Sequence, residues 1–194
     1  MTLLILGLIL FLGVHSVRIV ADGWRTKMLA NGGEKTWKLG YTVVSLLGFA
    51  LVIWGYGQAR LTPTVLWAVP AWGAKATGAL MLASLVLLAG AYVPGSKIKA
   101  VAHHPMLWGV LVFALAHLLA NNTLADVLLF GGFGLWAALD LMSCYARDRT
   151  AGVQYAVAKP GMMAINVMAG LAVWAAFAFW LHVVLMGVSP IPAR

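Results

Sequence analysis

Two histidines lie alone within long apolar stretches of the chain, and their type and setting point to metal chemistry. His15 lies in the apolar segment 2–20, and His117 lies in the apolar segment 105–120. An imidazole in hydrocarbon is energetically costly, so each is a candidate functional group. A neutral imidazole is a good ligand for haem iron, and two of them on different helices suit a b-type haem. A histidine bonded to a backbone carbonyl or to a partner helix fits the same positions.

The two histidines differ in predicted depth. The first predicted span and the fourth run in opposite directions, so His15 and His117 lie toward opposite ends of the bundle. Counted from the span centres at about 1.5 Å per residue, their depths differ by roughly 13 Å. Helix tilt would have to close this difference for both to bind one iron. His104, at the start of the fourth span, lies on the same side as His15 and is therefore the reserve axial ligand.

Asp140 and Arg18 are predicted to lie at the same depth as His15. A carboxylate within a membrane span needs a partner, so we expect Asp140 to pair with His15, Arg18 or Lys38. A carboxylate on the free N–H of a ligating imidazole is a common way to orient such a ligand. A structural ion pair between helices explains the same residues equally well.

The sequence His103-His104-Pro105 begins the fourth predicted span. Proline favours the first turn of a helix, and the free N–H groups of a helix N-terminus attract anions. Lys97 and Lys99 precede this turn and add positive charge. A lipid phosphate or a haem propionate is therefore a candidate guest.

The overall composition indicates that the chain is a membrane protein. The 194-residue chain is 63% hydrophobic and only 9% charged, whereas a typical soluble domain carries about 25% charged residues. So few charges exclude a soluble globular enzyme and a disordered chain. Apolar runs such as 80–91 are continuous rather than alternating, which favours packed helices over a transmembrane barrel. The single cysteine, Cys144, excludes an internal disulfide and a cysteine-based metal cage.

The apolar runs predict an all-α bundle of about six transmembrane helices in a single domain, 1–194. A membrane-spanning helix needs roughly 17–25 residues. The predicted spans lie near 2–20, 39–58, 72–93, 105–120, 123–145 and 163–187.

The basic residues divide unevenly between the two sides of this arrangement. Ten lie on one side, namely Arg18, Arg25, Lys27, Lys35, Lys38, Lys97, Lys99, Arg147, Arg149 and Lys159. The other three are Arg60, Lys75 and Arg194. The positive-inside rule places the larger group in the cytoplasm and both termini on the outer, periplasmic side. This distribution explains the net charge of +8 without a nucleic-acid partner.

Five ordered motifs resemble the NnrU family of bacterial inner-membrane proteins. They are LILGLILFLGVHSVRIVADGWR at 4–25, GEKTWKLGYTVVSLLGFALVIWGYG at 33–57, AYVPGSKIKAVAHHPMLWG at 91–109, FALAHLLANNTLADVLLFG at 113–131 and WAALDLMSCYARDR at 136–149. The resemblance implies a multi-pass protein of the bacterial inner (cytoplasmic) membrane. It also implies a role in producing nitrite and nitric oxide reductase activity.

A relative of that family, zeta-carotene isomerase, is a membrane protein that carries haem b. Its ligand motifs are similar to His15-Ser16 and Ala116-His117 here, and its His-Pro motif is similar to His104-Pro105. Ala114 stands where that enzyme has a ligand-switching cysteine, so a thiolate cannot bind iron from this position. A more distant likeness to isoprenylcysteine-type methyltransferases rests partly on the same His-Pro element.

Together, these patterns predict haem b bound through His15 and His117, with His104 in reserve and Asp140 and Arg18 supporting the ligands. The resemblance to the NnrU family implies a role accessory to nitrite and nitric oxide reduction. The predicted partners are the lipid bilayer and either denitrification enzymes or a lipophilic small molecule. Three alternatives remain at this point: a haem-dependent cis–trans isomerase of a lipophilic polyene, a membrane methyltransferase using the face at 103–105, and a cofactor-free assembly factor.

Overall fold

A computed structural model of the chain describes residues 1–155 and 157–191. Seven helices occur in these described ranges, and apart from one isolated bridge no strand is present there. The helices are α1 (Thr2–Val20), α2 (Asp22–Ala59), α3 (Gly73–Tyr92), α4 (Lys97–Ala102), α5 (Pro105–Ala120), α6 (Leu124–Ala151) and α7 (Met162–Met186). Helices α6 and α7 each contain one wider π turn, at Val127–Gly131 and Phe177–Leu181.

Five of the helices are long and apolar enough to cross a membrane, namely α1, α2, α3, α6 and α7. Helix α5 is equally apolar, but its 16 residues extend only about 24 Å, less than the roughly 30 Å of a bilayer core. The predicted all-α polytopic bundle is confirmed, with five helices of spanning length and one shorter apolar helix. The spans predicted at 39–58 and 123–145 form parts of longer helices, because α2 already begins at Asp22 and α6 continues to Ala151.

Helix α2 is broken at Gly33, where the backbone adopts φ 76° and ψ 164°. Glycine reaches this positive φ without steric cost, so it suits the break. The segments on either side remain in contact, since the Trp24 and Trp37 rings lie 5.6 Å apart. The Arg25 guanidinium also lies 6.0 Å from the centre of the Trp37 ring. The first segment of α2 is therefore attached to the second by aromatic and cation–π contacts.

The long helices contact one another in the order α2, α1, α6, α5, α3, α7. Glycines bring the backbones of α1 and α2 together, as small residues do at helix interfaces in membranes. A Cβ at Gly48 would lie 2.6 Å from the backbone nitrogen of Phe11, and one at Gly55 would lie 2.2 Å from that of Leu4. The adjacency of α1, α6 and α5 matters most for function, because these three helices carry the predicted site residues.

The two ends of the bundle differ in charge. At one end the last turn of α1 meets α6, where Arg147 donates a hydrogen bond to the carbonyl oxygen of Arg18 at 3.4 Å. The start of α5 joins the same end, because His104 lies 2.7 Å from Asp148 of α6. Five residues of the larger basic group line one cavity at this end, here called the basic end: Arg18, Arg25, Lys38, Lys99 and Arg147. Which side of a membrane the basic end faces remains a prediction.

The opposite end is formed by the segment between α2 and α3 and by the turn between α5 and α6. Val65 and Thr123 form an isolated antiparallel bridge there. The Tyr56 hydroxyl donates a 2.6 Å hydrogen bond to Asp126, which also caps the start of α6. Arg60 and Lys75 belong to this end, whereas Arg194 lies outside the described residues.

Candidate functional site

A cavity of about 850 Å³ lies at the basic end, mainly between α1, α2, α5 and α6. This volume falls within the roughly 300–1,000 Å³ typical of small-molecule sites. His15, Arg18, His104 and Asp140 all contribute to its lining. The structure therefore brings together four of the five residues that the sequence singles out. His117 is not part of the lining.

His15 has one ring nitrogen engaged and one available. Its Nδ1 lies 2.6 Å from the carbonyl oxygen of Phe11, one turn earlier in α1. Because a carbonyl only accepts, Nδ1 carries the proton, and Nε2 of the neutral ring keeps a lone pair. The centre of the imidazole ring lies 4.3 Å from the ring centre of Phe11, 5.2 Å from that of Tyr41 and 5.9 Å from that of Trp136. These contacts hold an imidazole whose Nε2 has the character of a metal ligand.

Trp136 contributes an unsatisfied donor beside His15. Its indole Nε1 is buried and has no hydrogen-bond partner among the residues that the structure describes. A buried indole N–H usually finds an acceptor, because leaving it unpaired costs free energy. The Trp136 side chain also lines the cavity, but Nε1 itself has almost no accessible surface and therefore does not face the open part of the cavity.

His104 is oriented by groups on α6 and just beyond it. Its Nε2 donates to Oδ2 of Asp148 at 2.7 Å, and the Tyr155 hydroxyl donates to the same oxygen at 2.7 Å. This hydrogen bond to a carboxylate raises the pKa of Tyr155 to about 12. A carboxylate on one ring nitrogen fixes the orientation of an imidazole and leaves the other nitrogen, Nδ1, for a ligand.

The backbone at His103 is strained. Its φ of 58° and ψ of −52°, together with the hydrogen bond from the N–H of His104 to the carbonyl of Ala102, define a γ-turn of the rare positive-φ type. The imidazole of His103 stacks on the Tyr155 ring at 3.5 Å. Pro105 then begins α5, as the sequence predicts. The turn thus places two consecutive histidines in the cavity lining, and such strain is often found at functional sites.

His117 occupies a separate aromatic cluster. Its Nδ1 bonds the carbonyl oxygen of Phe113 at 2.9 Å, and its ring stacks on Phe130 at 4.5 Å. His15 contacts Trp136, which lies six residues beyond Phe130 on the same helix, or about 9 Å along its axis. The structure therefore retains a depth difference between the two histidines.

Asp140 has a partner that the sequence analysis did not name. Its Oδ1 lies 3.7 Å from Nη2 of Arg147, two turns further along α6. Arg18 pairs instead with Asp22 at 3.8 Å, and Lys38 pairs with Glu34 at 2.7 Å. The expected pairing of Asp140 with His15, Arg18 or Lys38 was wrong, because a residue on its own helix face reaches it. The seven-residue spacing between Asp140 and Arg147 is the signal that would have indicated this pair.

A comparison with protein families matches residues 3–190 to the NnrU protein family. The chain belongs to the NnrU family. The match extends through α7, beyond the residues 1–150 that carry the recognisable motifs. Comparisons with curated proteins and with solved structures found no match.

Within this NnrU-family protein, the cavity changes in character from its interior to its rim. The Asp140 and Arg147 side chains are 18% and 25% exposed, whereas those of Arg18 and Lys38 are 56% and 70% exposed. Val14, Leu107 and other apolar side chains contribute to the walls. The cavity thus combines the His15 imidazole and apolar walls inside with positive charge at the mouth.

Proposed function

We propose that this NnrU-family protein binds haem b in the cavity at the basic end and serves nitrite and nitric oxide reduction as an accessory protein. The observation that carries the haem proposal is the position of His15, whose unbonded Nε2 belongs to a residue lining a cavity of about 850 Å³. The part in nitrogen-oxide reduction rests on the family resemblance.

The residues present fit haem on three counts. His15 offers an imidazole nitrogen of the type that binds haem iron. Tyr41, Trp136 and the apolar walls suit a flat hydrophobic ring, and the cationic side chains in the lining suit its carboxylates. When bound, haem would supply a redox-active iron able to take up nitric oxide. Phe11, through its carbonyl, would hold the tautomer of His15 that leaves Nε2 unprotonated.

Two residues are candidates for a second histidine that would hold the haem iron together with His15. His104 lines the same cavity as His15, and Asp148 orients its ring. His117 matches the motif of zeta-carotene isomerase and also has an unbonded Nε2, but it lies in the separate cluster with Phe130. The geometry favours His104, because its use requires no change in helix depth.

Absorption spectroscopy of the detergent-purified protein tests the proposal. We expect a Soret band, sharp α and β bands after dithionite reduction, and a pyridine haemochrome spectrum of haem b. Nitric oxide should displace one of the two histidines and so shift the Soret band of the reduced protein. Protein that remains colourless after expression in haem-replete cells would refute the haem proposal.

Histidine variants test the ligands separately. His15→Ala should lose most of its haem, while His182→Ala should retain it, since His182 lies outside the cavity lining and bonds the carbonyl of Val188. The second ligand is the residue whose alanine variant keeps haem but changes from a low-spin to a high-spin spectrum. We expect this change for His104→Ala, and observing it for His117→Ala instead would overturn the geometric argument.

A further inference from the structure

The lining of the cavity carries more positive than negative charge. Five cationic side chains contribute to it, namely Arg18, Arg25, Lys38, Lys99 and Arg147. Two of the five have a carboxylate of their own, because Lys38 pairs with Glu34 and Arg147 pairs with Asp140.

The remaining three cations are not neutralised. Arg18 and Arg25 share a single carboxylate, that of Asp22, at 3.8 and 3.7 Å. Lys99 forms no ion pair within the described part of the chain, and its Nζ donates only to the carbonyl of Ala91 at 3.2 Å. We call Arg18, Arg25 and Lys99 the basic rim. Counted against Asp22, the basic rim has two positive charges in excess.

The placement of Lys99 is specific. Helix α4 carries Lys97 and Lys99, and both are exposed. Only Lys99 contributes to the cavity lining. Helix α4 thus presents one of two neighbouring lysines to the cavity.

The apolar walls and the excess positive charge together indicate what the cavity can accommodate. A molecule of purely hydrocarbon surface would leave the excess positive charge unmatched. An apolar body bearing carboxylates would match both the walls and the charge.

We propose that the basic rim is a carboxylate subsite that makes the cavity select a dicarboxylic porphyrin over the same ring with esterified carboxyl groups. This inference rests on the proposed haem function and specifies how the ring is oriented. Lys99 is its principal positioning residue, because it has no competing carboxylate among the described residues.

The test compares binding of iron protoporphyrin IX with binding of its dimethyl ester in an uncharged detergent. Partly exposed ion pairs each change affinity by a few-fold, so the wild-type protein should bind the diacid about tenfold more tightly than the diester. Lys99→Met should reduce this ratio by about threefold. Lys97→Met is the matched control and should keep the wild-type ratio.

The outcomes separate the inference from the function on which it rests. Equal affinities of the wild-type protein for diacid and diester would overturn the carboxylate subsite while leaving haem binding intact. Failure to bind either compound would refute the haem function itself. Phosphatidylglycerol should not alter diacid binding. If it weakens diacid binding to the wild-type protein but not to Lys99→Met, the basic rim binds a lipid phosphate instead, and the proposal is wrong.

Discussion

Replacing Gly55 by alanine should force α1 away from α2. The new Cβ would lie 2.2 Å from the backbone nitrogen of Leu4, 2.6 Å from the carbonyl carbon of Leu3 and 2.7 Å from the Cα of Leu4. All three atoms are backbone, so no side-chain rotation relieves the overlap. Restoring an ordinary contact of 3.4 Å requires the two helices to separate locally by about 1.2 Å.

The expected loss of stability follows from this displacement. Adding one methyl group to a packed interior destabilises a protein by about 1–3 kcal/mol. We expect Gly55→Ala to lie near the upper limit, about 3 kcal/mol, because the colliding atoms belong to a rigid helix. Thermal unfolding in detergent, followed by circular dichroism, measures the change.

Gly57→Ala provides the matched control on the same helix. A Cβ at Gly57 meets nothing within 4 Å, and alanine is the better helix former by roughly 0.5–1 kcal/mol. This variant should be as stable as the wild-type protein or slightly more stable. If Gly55→Ala and Gly57→Ala unfold at the same temperature, the close packing of α1 on α2 is refuted.

Three further predictions concern polar groups. Arg147→Met should lower the stability by about 1–2 kcal/mol by leaving Asp140 unpaired, and adding Asp140→Asn should recover part of that loss in thermal unfolding. Asn166→Ala should lower the free energy of unfolding by about 1–3 kcal/mol, because buried Asn166 accepts a hydrogen bond from Ser96 at 2.6 Å and donates one to the carbonyl of Val86 at 2.8 Å. The control Asn31→Ala, at an exposed position, should leave the melting temperature unchanged. Tyr155 should ionise near its raised pKa of about 12, so its contribution to stability is complete below about pH 10 and is lost as the pH rises through about 12. The difference in phenolate absorbance between the wild-type protein and Tyr155→Phe measures this titration. A midpoint near pH 10 would contradict the hydrogen bond from Tyr155 to Asp148.

The helical class and the common location of His15, Arg18 and Asp140 could be predicted from sequence. Long apolar runs are local signals, and counting residues along antiparallel helices indicates which end a side chain occupies. The same counting correctly indicated that His104 lies on the side of His15. The depth of a residue is thus largely determined by its own helix.

The partners of these residues could not be predicted in the same way. The pairing of Asp140 with Arg147 follows their seven-residue spacing on α6. That Asp140 has no ion-pair partner on α1 or α2 depends instead on how the helices are rotated against one another, which no local pattern reports. That Lys99 rather than Lys97 lines the cavity depends on the packing of α4, a helix of six residues. The unsatisfied Nε1 of Trp136 is a property of the assembled cavity, so sequence periodicity gives no sign of it.

The order in which the helices pack has a consequence for biosynthesis. Helices α1 and α2 contact each other, and α3 contacts α5, so two helix pairs can form as soon as they are synthesised. Helix α6 is made later, yet it lies between α1 and α5 and joins the two pairs. Because α6 supplies Trp136, Asp140 and Arg147 to the cavity, a nascent chain has no complete ligand site until α6 is inserted. From the proposed haem function we therefore expect a chain ending at Thr123 to enter the membrane but to retain no haem.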